Sequence, residues 1–199
     1  MNSKTTQITR IENITQNSPD EIKTAFTAIN NEAFPKNERC PLERFFELKE
    51  MGLDVDILGL FDKDDLLGFF VAMKKGICAY AWFFAIRSDL RSQGLGTKAL
   101  SLIFDRYKDY QIVLDFEALD ESAPNNEQRI HRKNFYLRNG FKETGYFQYY
   151  CETEFEIVCS ERKPDANSYE FLKNEYEKLL DELRKAVPMF HPKLYRKDK

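Results

Sequence analysis

Two hydrophobic periods alternate along the chain. Residues 7–11 and 55–61 alternate apolar and polar side chains as half-buried strands do, whereas residues 20–34 and 42–51 carry apolar side chains at helical spacing. The chain therefore opens strand, helix, helix, strand. Residues 66–73 and 79–86 are rich in β-branched and aromatic side chains, and turn-like stretches holding Asp62, Asp64, Asp65 and Gly76 set them apart, which predicts an antiparallel meander.

After Ile86 the pattern changes. A polar stretch, residues 87–96, leads into residues 97–107, where Leu100, Ile103 and Phe104 recur at helical spacing, and residues 112–116 read as a buried strand. Strand, loop, helix and strand in that order imply a right-handed crossover and a parallel pair. A second helix over 126–139 is closed by Gly140 in the C-terminal capping place, and strands over 146–150 and 154–158 follow. The predicted fold class is α/β, an α+β arrangement in which a central mixed, mostly antiparallel sheet is flanked by helices. Beyond Pro164 one more helix carries Tyr169, Leu172, Tyr176, Leu179, Leu180, Leu183 and Val187 on a stripe. That stripe must cover something apolar: the domain's own core, a second copy in a homodimer, or a substrate cleft. Residues 1–163 are thus expected to form one domain, with 164–199 a helical extension packed on it.

Composition narrows the functions. With 199 residues and 42% hydrophobic content the chain can bury a proper core, and a net charge of −3 from 30 Lys+Arg against 33 Asp+Glu supplies no field for a nucleic-acid backbone or an anionic membrane. Neither partner is expected. No stretch has the length and apolarity of a signal peptide or a membrane span, so a cytoplasmic location is expected. Cys40, Cys78, Cys151 and Cys159 show no zinc spacing, and neither His131 nor His191 pairs with a particular cysteine, so idle thiols and no metal are the reading.

The strongest chemical signal is Arg91-Ser92-Gln93-Gly94-Leu95-Gly96-Thr97, between an aromatic strand and an amphipathic helix. Glycines at 94 and 96 let backbone N–H groups converge, and the helix start adds unpaired amides and the positive end of its dipole. Such a loop suits an anionic phosphate. It is not a nucleotide P-loop, since no Lys-Ser or Lys-Thr follows the glycines, nor a dinucleotide fingerprint, since the third glycine is absent. Some forty residues on, Asn134-Phe135-Tyr136-Leu137-Arg138-Asn139-Gly140-Phe141 joins a helix end to a strand start.

Arg91-x-x-Gly94-x-Gly96 resembles the acetyl-CoA-binding signature of the GNAT acyltransferases, and Phe135-Tyr136-x-x-x-Gly140-Phe141 resembles their second landmark. The resemblance spans residues 8–158 and leaves the tail outside. It implies a splayed parallel strand pair, with the pantetheine arm of acetyl-CoA against the backbone of Phe84, Ala85 and Ile86. The N–H near Ile86 would then stabilise the oxyanion. Tyr136 matches the family's general acid toward the departing sulfur, a core tyrosine being the alternative. Asp115 and Glu117, two apart on a strand, sit where the family often puts a base; Glu117 is favoured and Asp115 second, with a solvated strand-end acid as the alternative. Where many relatives carry an Asn this chain has Arg129, which with Arg132 and Lys133 would reach the phosphates or else form a solvated face. The acceptor pocket would draw on Glu32, Phe34, Glu38, Glu43, Tyr80, Trp82 and Tyr146, an aromatic wall with carboxylates suited to a cationic amine. The implied reaction moves an acetyl group from acetyl-CoA to a primary amine of a small molecule or peptide. A CoA-binding sensor on the same fold, without turnover, is the competing reading.

Overall fold

The computed structural model describes residues 6–36, 38–150, 152–160, 169–187 and 192–197, and Cys151, Pro164 and His191 lie outside them, as do the side chains of Tyr169 and Leu172. The element order is β1 (Arg10–Asn13), α1 (Asp20–Ala33), α2 (Leu42–Glu50), β2 (Val55–Asp62), β3 (Asp65–Lys75), β4 (Cys78–Ile86), α3 (Leu95–Arg106), β5 (Gln111–Glu117), α4 (Asn126–Arg138), β6 (Phe141–Tyr150), β7 (Thr153–Ser160), α5 (Tyr169–Ala186) and β8 (Lys193–Arg196). The strands form one mixed sheet in the order β1-β2-β3-β4-β5-β7-β6-β8. This is the mixed, mostly antiparallel α/β arrangement expected from the hydrophobic pattern.

The chain divides into two compact units. The first comprises residues 1–73 and 82–106. Its strands β1, β2 and β3 are antiparallel neighbours, and α1 and α2 bury Phe26, Ile29, Phe45 and Leu48 against an aromatic core. Phe26 stacks on Phe69 at 4.0 Å, and Phe34 and Phe45 meet Phe83 edge-on at 5.1 and 5.4 Å. Fully buried aromatic side chains of this size dominate the energetics of a small core.

The second unit comprises residues 74–81 and 107–199. Here the start of β4 pairs with β5 in parallel, Cys78↔Gln111 to Tyr80↔Val113, while β5, β7 and β6 are antiparallel. The parallel ladder ends at Tyr80, just before the division between the units. Gly140, with φ +94°, closes α4 in the left-handed conformation that glycine adopts without a Cβ penalty. The stripe on α5 is covered within this unit: Tyr176, Leu179, Leu180 and Leu183 are buried, and Lys75 Nζ lies 2.6 Å from Glu182.

The strand expected over 7–11 begins at Arg10 instead, although Thr9 N–H still donates to the Phe61 carbonyl at 2.8 Å. Strand β6 begins at Phe141, five residues before the expected start, and a register shift between Glu143 and Phe147 hides its alternation. Among the described residues no helix is long and apolar enough to cross a membrane.

Candidate active site

In the first unit, β3 holds β4 by a close backbone approach. A Cβ on Gly68 would collide with the Ala85 carbonyl oxygen and come within 3.2 Å of Ile86 Cα. The obstacle is backbone, which cannot swing aside, so Gly68→Ala is expected to cost about 1–3 kcal/mol of stability. A thermal melt checks this, and an unchanged melting temperature contradicts it.

A single 3-10 turn, Ser88–Leu90, follows β4. Glu32 of α1 accepts from Ser88 N–H at 3.3 Å and from the Ser88 hydroxyl, and these bonds, the hydroxyl's first, hold its carboxyl below the usual range. Arg91 Nε donates to Ile86 O at 3.3 Å, and Gln93 Nε2 to Asp89 O at 3.1 Å. Glu32, expected in the acceptor pocket, thus anchors the approach to the loop.

Two loop residues are left-handed, Ser92 with φ +62° and Gly94 with φ +80°. Left-handed residues interleaved with ordinary ones aim successive N–H groups into one concavity, a nest for anions. Helix α3 starts at once, with Lys98 N–H donating to Gly94 O at 3.1 Å. The amides of Leu95, Gly96 and Thr97 precede that bond and have no acceptor inside the helix. No acidic residue occupies the first turn, residues 91–94 are exposed, and a Cβ on Gly94 would meet nothing within 4 Å. Converging donors, a positive dipole end, open space and no competing carboxylate fit a pyrophosphate.

In the second unit α4 carries Tyr136 over β5. Its ring stacks on Phe116 at 5.5 Å and 10°, with Phe135 and Phe141 edge-on at 5.2 and 5.6 Å. Among the described residues its hydroxyl has no hydrogen-bond partner. Burial pushes the phenol up to about 12, with Arg132 opposing and Asp115 adding. Tyr136 therefore keeps its proton at neutral pH, as a donor must.

Asp115 and Glu117 have opposite surroundings. Glu117 is clamped: Arg129 lies 3.1 Å from Oε1, Arg132 2.9 Å from Oε2, and Asn125 Nδ2 donates at 3.1 Å. Its lone pairs are occupied by charge-assisted bonds, which leaves little room for a further partner. Asp115 accepts from two phenols, Tyr80 at 2.7 Å and Tyr150 at 3.1 Å. Burial raises its carboxyl above the usual range, while Tyr80, Gln148 and Tyr150 counter that rise.

Other expected site residues are committed elsewhere. Arg129, besides its bond to Glu117, donates to Ala118 O at 2.8 Å and Asn125 Oδ1 at 2.9 Å, so it ties the end of β5 to the start of α4 instead of reaching out. Lys133 bridges Glu143 at 2.5 Å and Glu156 at 2.8 Å beside a groove of about 810 Å³ that Leu119, Phe147 and Lys197 also line. Tyr80 is fully buried, edge-on to Tyr176 at 5.2 Å, so it forms no open wall. Tyr146 is buried beneath Lys173 and Arg196, 5.5 and 5.6 Å from its ring centre. Trp82, Phe84 and Phe34 stay half-buried in the first unit, with Trp82 5.7 Å from Phe45. Gln148, Tyr150 and Tyr176 around Asp115 were not foreseen. The first two sit two apart on β6, a spacing that shares one face, but only the fold shows that Asp115 lies there.

Burial pushes the Cys40 thiol up to about 12 and raises Cys78 as well, so neither is a thiolate at neutral pH. Among the described residues no three His, Cys, Asp or Glu side chains gather in a way that could hold a metal ion.

Comparison with solved structures places this arrangement. The chain is similar to a Bacteroides thetaiotaomicron protein assigned to the GNAT acetyltransferases, with 24% identity and a TM-score of 0.66 over 85% of this chain and 97% of that one. It is also similar to an aminoglycoside 6′-N-acetyltransferase complexed with coenzyme A, with 18% identity, a TM-score of 0.59, and 78% and 98% covered. The ribosomal-protein-S18-alanine N-acetyltransferase from Escherichia coli gives 19%, 0.55, 76% and 92%. At these identities the likeness speaks for the fold. No curated protein matches the chain. The family model for the acetyltransferase (GNAT) family matches residues 23–141, well over half of the chain. The chain therefore belongs to the GNAT acetyltransferase family and is an acyltransferase.

Proposed function

We propose that the protein is an N-acetyltransferase that moves an acetyl group from acetyl-CoA to a primary amine of a small molecule or a peptide, by direct attack and in the cytoplasm. The observation that carries the reading is the 91–97 loop, whose left-handed Ser92 and Gly94 open directly into the bare N-terminus of α3. Similar folds acting on an aminoglycoside and on a ribosomal protein's alanine support an amine acceptor.

Acetyl-CoA supplies an activated thioester, and the rest falls to the chain's residues. The loop amides hold the pyrophosphate, and the backbone of Phe84, Ala85 and Ile86 meets the pantetheine arm. The Ile86 N–H donates to the thioester oxygen as charge develops on it. Asp115 takes the proton that the attacking nitrogen loses as the C–N bond forms. Tyr136 donates a hydrogen bond to the sulfur as the C–S bond breaks, stabilising the thiolate; complete proton transfer from so weak an acid runs uphill. The two arginines on Glu117 support the choice of Asp115 as the base.

The two carboxylates can be told apart by substitution. Asp115→Asn is expected to lower kcat about 100-fold or more, on the scale of general-base catalysis. Glu117→Gln is expected to keep kcat within about tenfold of wild type while lowering the melting temperature, because it loosens the arginine clamp. The reverse order of activities overturns the assignment. Stability offers a second readout. The folded Asp115 carboxyl is raised above its unfolded value, so its contribution is fully present below the unfolded pKa and is lost as pH rises through the folded one. Asp115→Asn is thus expected to melt above wild type at neutral pH, with the difference vanishing near pH ~4.

A further inference from the structure

We infer that Tyr176, on the C-terminal helix α5, is a positioning residue for Asp115 that acts through the carboxamide of Gln148, a role whose catalytic meaning rests on Asp115 being the base. Gln148 is fully buried on β6, and its Oε1 accepts from the Tyr176 hydroxyl at 3.0 Å. Its Nε2 is buried with no hydrogen-bond partner of good geometry among the described residues, although the amide acts on both Tyr80 and Asp115. An orphaned buried donor is costly, so something must hold it there. Tyr176 does. Rotating the amide by half a turn would turn the Oε1 lone pairs toward a carboxylate, which is electrostatically unfavourable, and would make the Tyr176 hydroxyl the acceptor from Nε2, drawing the amide's donors away from Asp115.

Tyr176 cannot follow such a rotation. It is fully buried, its ring lies edge-on to Tyr80 at 5.2 Å, and α5 is fixed by buried Leu179, Leu180 and Leu183. The result is a buried amide held by Tyr176 at its oxygen, with its N–H pair left over to act on Tyr80 and Asp115. The groups facing Asp115 are Tyr80 from β4, Gln148 and Tyr150 from β6, and Tyr136 from α4. Tyr176 reaches it from α5 through Gln148, and its β7 neighbour across the ladder is the apolar Ile157. Gln148 is thus a neutral donor that favours the charged form. This gives a tyrosine of the C-terminal helix, outside the motifs of the family, a part in setting the protonation of the proposed base.

The test has an arm that needs no turnover. In full-length protein with carbon-13-labelled aspartate, Asp115 is assigned by its loss in Asp115→Asn, and its carboxyl is titrated. Tyr176→Phe is expected to move the midpoint upward by about one pH unit, the scale of one hydrogen bond to a carboxylate. Gln148→Leu should move it at least as far, and adding Tyr176→Phe to Gln148→Leu should add nothing. Glu182→Ala, which breaks only the surface contact of α5 with Lys75, should leave it in place. A midpoint unchanged in Tyr176→Phe overturns the coupling, as does an equal shift in Glu182→Ala, which would mean general loosening of α5. The acid limb of kcat/KM should move with the midpoint. If the midpoint moves while the limb stays, the coupling stands and the assignment of Asp115 as base fails.

Discussion

Gly96→Asp is expected to abolish measurable acetyl-CoA binding while leaving the protein folded. A carboxylate in the first turn of α3 complements the helix dipole, so the substitution should not weaken the helix. The same carboxylate occupies the field meant for the pyrophosphate. Two unit charges about 5 Å apart at an effective dielectric near 20 repel by about 3 kcal/mol, and the affinity should fall by at least 100-fold. Gly94→Pro attacks the same site through the backbone. Gly94 has φ +80°, whereas proline fixes φ near −65°, so the nest cannot form. Calorimetry with acetyl-CoA, beside a melt showing that each variant is folded, checks both. Binding retained in a folded Gly96→Asp would mean that the phosphates sit elsewhere.

The second large effect is expected at Tyr136. Tyr136→Phe keeps the ring that stacks on Phe116 and removes only the hydroxyl, which has no partner among the described residues. Stability and acetyl-CoA affinity should therefore stay within a factor of about two, while kcat falls by about 10²–10⁴, the range for a lost acid or thiolate donor. Because burial holds the phenol near 12, the wild-type rate should show no alkaline limb from this group below about pH 10. A Tyr136→Phe enzyme with wild-type kcat would reduce Tyr136 to a core residue.

The turn of the 91–97 loop into α3 was legible in the sequence because it is set by the backbone. Gly94 takes a left-handed φ at the strand-to-helix junction as its residue type suggests, whereas the second left-handed residue is Ser92, which spacing did not single out, and Gly96 already lies in α3. The fold was legible for a similar reason, since hydrophobic period reports local burial. Boundaries failed where that link is weak: β6 carries a register shift, and β8 is a four-residue edge strand that pattern alone does not reveal. Spacing alone does not separate Asp115 from Glu117. Both residues sit on β5, and what separates them is Arg129 and Arg132 from α4 on one side and Tyr80 and Tyr150 from other strands on the other. Arg129 stayed open in the same way, because a basic helix face looks identical whether its charges reach a phosphate or a carboxylate of the same chain. Tyr80 and Tyr146, placed in the acceptor pocket by the resemblance, are buried by residues of α5 and β8 distant in sequence.

If the protein transfers acetyl from acetyl-CoA to an amine, release of the CoA thiol must depend on the amine. Purified protein and acetyl-CoA are combined with a panel of polyamines, aminoglycosides, amino acids and peptides, and thiol release is followed together with the mass of each amine. Release well above the amine-free rate is expected for at least one amine, with that amine gaining one acetyl group. Thiol release equal with and without every amine, beside tight acetyl-CoA binding, would contradict it and leave a protein that holds the cosubstrate without turning it over.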